Sequence, residues 1–333
     1  MSTDHRQRLL RIYQSVLAAV NGRECVRRYL TQHMGSAAKP VVPAESRGLH
    51  YGLLAVMAFS LTLPATRVAV ADLDPVFVGL GRSVAAAGIA LLILLFTRPC
   101  FPTRDQWRGL ALVAASVVVG FPLLTAWAME RVPASHGAIL LGVLPLVTAA
   151  AGALRAHERP SPGFWIAGLA GSILVVAFAL ISGAGKPTLA DLALLGAVLA
   201  AALGYAEGGR LARTLGGWQV ICWALVLAAP FLVIPVVLSS PQHAELVPVN
   251  TWLAFAYVAL VSQLFGFFIW YHALALGGIA RISQLQLLQP FFTLFAAGFL
   301  LGERITSLTV AFALAVVVTV AVGRKMTVQR QVS

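Results

Sequence analysis

Charge is scarce in this chain: 11% of its 333 residues are Asp, Glu, Lys or Arg, and only 12 residues are acidic. Soluble domains carry about 25% charged residues, so a water-exposed globular surface is excluded. Cysteine is nearly absent. Cys25, Cys100 and Cys222 lie far apart, and their spacing supplies neither a disulfide framework nor a metal-ligand pattern. HExxH, GxSxG and Walker signatures are also missing, so nothing in the chain points to a metal, a cofactor or a catalytic residue. After the first 47 residues there is no polar stretch long enough for a soluble domain.

What the chain has is apolar length. Hydrophobic residues make up 59% of it and the mean hydropathy is +0.86, more apolar surface than a soluble core of this size can hide. A membrane span needs roughly 20 mostly apolar residues, because a helix satisfies its own backbone groups where lipid cannot. Ten such runs follow, near 49–70, 75–97, 107–129, 134–154, 162–182, 189–209, 218–239, 251–274, 279–301 and 305–323. The expected fold is therefore an all-α membrane protein.

The runs are duplicated. Shifting 134–161 by 145 positions lays it on 279–306 without a gap, placing Pro145 on Pro290, Thr148 on Thr293, Glu158 on Glu303 and Arg159 on Arg304. Two units of five spans are expected, over 48–182 and 188–324, with a cytoplasmic tail at 325–333. Five is odd, so the second unit enters the bilayer upside down relative to the first. With the N-terminus inside, nineteen of the 24 Lys and Arg fall on the inner side and four on the outer, which predicts cytoplasmic termini. That asymmetry accounts for the net charge of +12. The basic residues form no aromatic-interleaved patch, so no nucleic-acid partner is expected; the bilayer is the expected partner, and no signal sets an oligomeric state.

Residues 1–47 read as a cytoplasmic N-terminal extension. Leu9, Ile12, Tyr13, Val16, Leu17 and Val20 recur at helical spacing beside Arg6, Arg8 and Arg11, the pattern of a basic amphipathic helix, while the small residues and prolines of 35–46 read as a loose linker. Ala69-Val70-Ala71 has the look of a signal-peptide cleavage site, but losing span 1 would break the five-plus-five repeat, so span 1 is expected to be retained.

Polar residues inside spans mark the candidate path. Ser283, Gln286, Gln289 and Thr293 of span 9 fall on one face with Pro290. Helix-to-helix hydrogen bonding is the bland alternative, at about 1 kcal/mol per contact. The matching positions of span 4 are apolar apart from Thr148, giving a polar wall opposite an apolar one, as an amphipathic solute would require. Span 8 adds Gln263, Trp270 and Tyr271; Trp270, near the inner end, equally fits an interfacial anchor. Arg82 and Glu207 are the candidates for charge coupling, protons included. Arg82 would otherwise make a structural contact with a carbonyl or Asp74, and Glu207 an interfacial pair with Arg210. Pro64, Pro122, Pro145 and Pro290 break helices inside spans, where the freed carbonyls need new partners.

The proline-containing runs closed by Glu158-Arg159 and by Gly302-Glu303-Arg304, with Arg82 in span 2, resemble the ten-helix EamA-type members of the drug/metabolite transporter superfamily over nearly everything after the tail. The resemblance implies a secondary transporter exporting a small metabolite, such as an amino acid or related amphipathic solute, by alternating access through a cavity between spans 3, 4, 8 and 9. Multidrug export is the nearer alternative, and a membrane-embedded sensor or enzyme the remote one. Span 1 holds no carboxylate, which weakens the comparison with four-helix cationic-drug exporters.

Overall fold

The computed structural model describes residues 44–156, 158–160, 162–182, 188–324 and 328–330. The amphipathic pattern of 6–20 and most of the tail at 325–333 lie outside the described residues. Ten membrane helices follow one another: α1 Ser46–Ala69, α2 Pro75–Thr97, α3 Arg104–Met129, α4 Ala134–Arg155, α5 Pro162–Ser182, α6 Leu189–Leu215, α7 Gly217–Leu238, α8 Val249–Gly277, α9 Ile279–Leu301 and α10 Ser307–Arg324. Eight of them, α1 to α4 and α6 to α9, meet the length and apolarity of a span on their own. The protein is an all-α membrane protein of ten transmembrane helices built as two inverted five-helix repeats.

Sequence signals set the helix ends. The Asp74 carboxylate accepts from the amides of Val76 and Phe77 at 2.7 and 3.3 Å, with Pro75 in the first turn. Capping boxes open α3 (Thr103 with Gln106) and α6 (Thr188 with Asp191), each satisfying two amides that a helix start leaves unpaired. Between α8 and α9 a single glycine, Gly278 (φ +89°), makes the reversal. A side chain rarely adopts that conformation, which is why the two spans can be joined so tightly.

The halves interleave. The most extensive packing partners are α1 with α8, α3 with α6 and α4 with α9, followed by α4 with α6, α2 with α7 and α5 with α10. Each of these pairs joins one half to the other. The continuous core thus lies between the repeats, around Phe59, Leu110, Val117, Tyr205, Trp270 and Leu274. Two three-residue strands, β1 Glu158–Pro160 and β2 Val328–Arg330, pair antiparallel after α4 and α10. Cys100 is disulfide-bonded, against the expectation from cysteine spacing, and Cys222 is free and buried.

Candidate functional site

Four helices, α3, α4, α8 and α9, lose regular α geometry at mid-span. Helix α3 is π-wound over Ala114–Gly120 and α8 over Tyr257–Phe265; α4 tightens to 3₁₀ over Leu141–Val143 and α9 over Gln284–Leu288. The 145-residue shift carries 114–120 to 259–265 and 141–143 to 286–288, inside the corresponding irregular stretches. These are the helices expected to line the path. Irregular winding of this kind concentrates at functional sites.

The prolines explain much of it. Proline has no N–H, so the carbonyl four residues earlier loses its helical donor. Pro145 and Pro290 free the carbonyls of Leu141 and Gln286, and the 3₁₀ turns repair both by bringing in the amides of Leu144 and Gln289. Pro122 frees the Val118 carbonyl and, in the π register, that of Val117. The Ser83 hydroxyl donates to the first at 2.7 Å and Gln263 Nε2 to the second at 3.0 Å. Pro64 frees the Ser60 carbonyl, which receives the Thr293 hydroxyl at 2.8 Å. Backbone groups at membrane depth are satisfied by protein in each case, as lipid demands.

Those repairs divide the predicted path residues into two groups. Thr293 and the Gln263 amide nitrogen serve a broken backbone, and the Ser283 hydroxyl donates to Ala280 O at 3.0 Å and lies 3.5 Å from Pro145 O. Tyr271 donates to Gly204 O at 3.1 Å. The second group has no partner among the described residues: both polar atoms of Gln286, Oε1 of Gln289 and of Gln263, the Thr148 hydroxyl and the Trp270 indole N–H. All are buried, Gln286 at 2% and Gln289 at 9% exposure. Gln284 joins them with both its polar atoms unpartnered. Sequence periodicity misses it, because it lies off the stripe of a regular α-helix and comes inward on the 3₁₀ turn.

Trp270 is 0% exposed and sits in the protein interior, so the interfacial-anchor alternative is not realised. Its ring meets Phe59 and Tyr205 edge-on, with centroids 6.1 and 5.5 Å apart. Phe267 packs on Phe59 and Tyr205 at 5.3 and 5.8 Å. Four aromatic rings from α1, α6 and α8 thus stand together, and Tyr205 lies within side-chain reach of Gln286 and electrostatic range of Arg82. Apolar ring faces and unpaired amides occur side by side, the combination that characterises small-molecule sites.

The two charged candidates differ. Glu207 is buried and its carboxylate is held by Arg210, at 2.6 Å to Nη2 and 3.2 Å to Nε, the pairing expected from their i, i+3 spacing. Arg82 is 1% exposed. It forms no hydrogen bond or ion pair with any described residue, its Nε lacks a partner, and its guanidinium carbon lies 5.9 Å from the Phe121 ring centroid. Asp74 is occupied with its own helix start, so that structural contact is absent.

The repeat motif after α9 ties the two halves together. Glu303, just past the left-handed Gly302 (φ +64°) that ends α9, accepts the amides of Ala134 and Ser135 at 2.8 and 2.9 Å. A carboxylate of one half thereby caps the start of α4 in the other, where the helix dipole favours negative charge. The next residue, His136, places Nε2 2.6 Å from Asp191 Oδ1 on α6. Arg304 is exposed. The side chains of Glu158 and Arg159 lie outside the described residues.

Comparison with known proteins agrees with this architecture. The EamA-like transporter family matches twice, at residues 46–182 and 188–322. An uncharacterized transporter, YdeK of Bacillus subtilis strain 168, is 46% identical over 274 residues, covering 82% of this chain and 96% of its own. A probable amino-acid metabolite efflux pump of Escherichia coli K12 is 25% identical over 277 residues, covering 77% of this chain and 87% of its own. One solved crystal structure superimposes with a TM-score of 0.62 at 16% identity, over 83% of this chain and 97% of that one, and so shares the fold. On the two family matches and the relative at nearly half identity, the chain belongs to the EamA-like transporter family.

Proposed function

We propose that this transporter is a secondary exporter of the bacterial inner membrane, with both termini cytoplasmic. It moves a small amphipathic metabolite, such as an amino acid, by alternating access between the two five-helix units. The observation that carries the reading is the cluster of buried, unpartnered polar atoms of Gln263, Gln284, Gln286 and Gln289. Gln263 lies in the π-wound stretch of α8, Gln284 and Gln286 in the 3₁₀ stretch of α9, and Gln289 directly after it. Leaving a buried polar group unsatisfied costs about 1–3 kcal/mol, so such a cluster is reasonable where a solute or its water is the intended partner. The interleaved packing of the halves supports the same reading, since a rocking of one unit against the other opens that centre first to one side and then to the other.

Outward direction and the amino-acid-like substrate class are taken from the two relatives named as probable amino-acid metabolite efflux pumps. Multidrug export is less well supported. A lipophilic cation needs a free buried carboxylate, and the two buried ones among the described residues, Asp191 and Glu207, already hold Thr188 with His136 and Arg210.

The test is solute flux in proteoliposomes with Gln286→Leu and Gln289→Leu, which keep volume and remove hydrogen-bonding capacity. Loss of flux with an unchanged melting temperature supports the reading. Unchanged flux removes it.

A further inference from the structure

Arg82 is the one feature of the centre that the reading above does not use. It sits seven residues into α2, roughly 10 Å along the axis at 1.5 Å per residue, and is 1% exposed without any hydrogen bond or ion pair to a described residue. An arginine at that depth normally faces an acid, a row of carbonyls or a water-filled cavity. Here the neighbouring freed carbonyls are already taken: Ser83 donates to Val118 O and Gln263 to Val117 O. The buried acids among the described residues are taken as well, Asp191 by Thr188 and His136, Glu207 by Arg210. Among the described residues no buried carboxylate and no freed carbonyl is left over for this guanidinium.

We propose that Arg82 is the docking group for a substrate carboxylate, so that the transported class is small carboxylates with an apolar or aromatic body. The inference rests on the transporter reading and sharpens its substrate. A guanidinium presents a planar fork of donors that matches a carboxylate in two-point geometry. Tyr205 lies within electrostatic range of Arg82 and side-chain reach of Gln286, and belongs to the ring cluster with Phe59, Phe267 and Trp270. A carboxylate on Arg82 would leave the rest of the solute against those rings, with the unpaired Gln286 amide and Trp270 N–H for any further polar group. Recognition of this kind reads the negative charge and the apolar body. An amino group is accommodated but is not what binds.

The experiment is thermal unfolding of the purified full chain in lipid nanodiscs, scanned with phenylacetate, indole acetate, isovalerate and phenylalanine, and with two charge controls, phenylacetamide and phenethylamine. A ligand that binds only the folded state raises the melting temperature in proportion to its saturation. At least one carboxylate is expected to stabilise the wild type at millimolar concentration, with the amide and amine at least ten-fold weaker. Arg82→Gln is expected to remove that stabilisation and Arg82→Lys to retain part of it.

The ligand-free proteins give a readout that a structural arginine would reverse. Because Arg82→Gln removes an unpaired buried charge, the variant is expected to melt at or above the wild type; melting well below it would assign Arg82 a structural contact and overturn the proposal. Equal protection by phenylacetate and phenylacetamide, or carboxylate protection that survives Arg82→Gln, would also overturn it. Flux of a neutral or cationic solute that needs Gln286 but not Arg82 would sink the carboxylate assignment while keeping the transporter reading. Absence of flux for every solute class would sink both.

Discussion

Removing the Glu303 carboxylate tests the contact that most plainly joins the two repeats. Its two oxygens accept the amides of Ala134 and Ser135 at 2.8 and 2.9 Å, the first two residues of α4. Hydrogen bonds to a charged group contribute about 1.5–3 kcal/mol each when buried. Favourable placement at a helix N-terminus contributes about 0.3–1 kcal/mol. Glu303 is partly exposed, so solvent screening brings the total below the buried-group sum, to about 2–3 kcal/mol. Glu303→Ala loses all of it. Glu303→Gln keeps one carbonyl acceptor of nearly the same reach and should lose about half, 1–1.5 kcal/mol. Arg304→Ala is the control, an exposed neighbour expected to stay within about 0.5 kcal/mol of wild type.

The assay is reversible unfolding in mixed micelles by titration with a denaturing detergent, followed by intrinsic tryptophan fluorescence. The expected order of stability is wild type with Arg304→Ala, then Glu303→Gln, then Glu303→Ala. If Glu303→Ala matched the Arg304→Ala control, the cap would contribute nothing and the reasoning from geometry to energy would fail. If Gln and Ala were equally damaging, charge alone would matter and the two-amide geometry would be irrelevant.

Further expectations follow from the same contacts. The 145-residue shift maps Glu303 onto Glu158 and the two amides onto Ile279 and Ala280, so Glu158→Ala should lose about as much stability as Glu303→Ala in the same titration, roughly 2 kcal/mol; no loss would show that the cap is not shared by the repeats. Gly208 faces the Tyr271 ring so closely that an added methyl overlaps it, and Gly208→Ala should lower stability by about 1–3 kcal/mol through overpacking, whereas a neutral result would mean that the ring has room to shift. Tyr257→Phe removes a 2.7 Å hydrogen bond to the Ala58 carbonyl and should cost about 0.5–1.5 kcal/mol, checked by the same method; a stabilised variant would count against the bond. A fluorescent protein fused after Ser333 should be bright and alkaline phosphatase fused there inactive, as the charge asymmetry requires. The opposite pair of signals would invert the topology.

How much was legible before the structure depends on the range of the interaction. Span positions were readable because lipid imposes one length and one composition on every helix. The i, i+3 pairing of Glu207 with Arg210 was readable for the same reason, since it is local. The polar stripe of Gln286, Gln289 and Thr293 was visible from periodicity, but its roles were not: Thr293 answers Pro64, more than 200 residues away, and only three-dimensional proximity shows it. Gln284 stayed hidden because a regular helix was assumed where proline forces a 3₁₀ turn. For Trp270 the distance from the helix end leaves both a path position and an interfacial one open, and only its neighbours Phe59 and Tyr205 put it in the interior. Arg82 was flagged by its cost alone. That it has no protein partner could be learned only by placing every group around it.

The account stands on a centre that opens to water on both sides of the membrane in turn. Substituted-cysteine accessibility measures this directly: native cysteines are replaced by serine, a single cysteine is placed at Gln289, and a membrane-impermeant thiol reagent is applied from outside in right-side-out vesicles and from inside in inverted ones. Labelling from each side, slowed by a bound transported solute, is the expected result. A cysteine protected from both sides, or reached only by a lipid-soluble reagent, would contradict alternating access through this site.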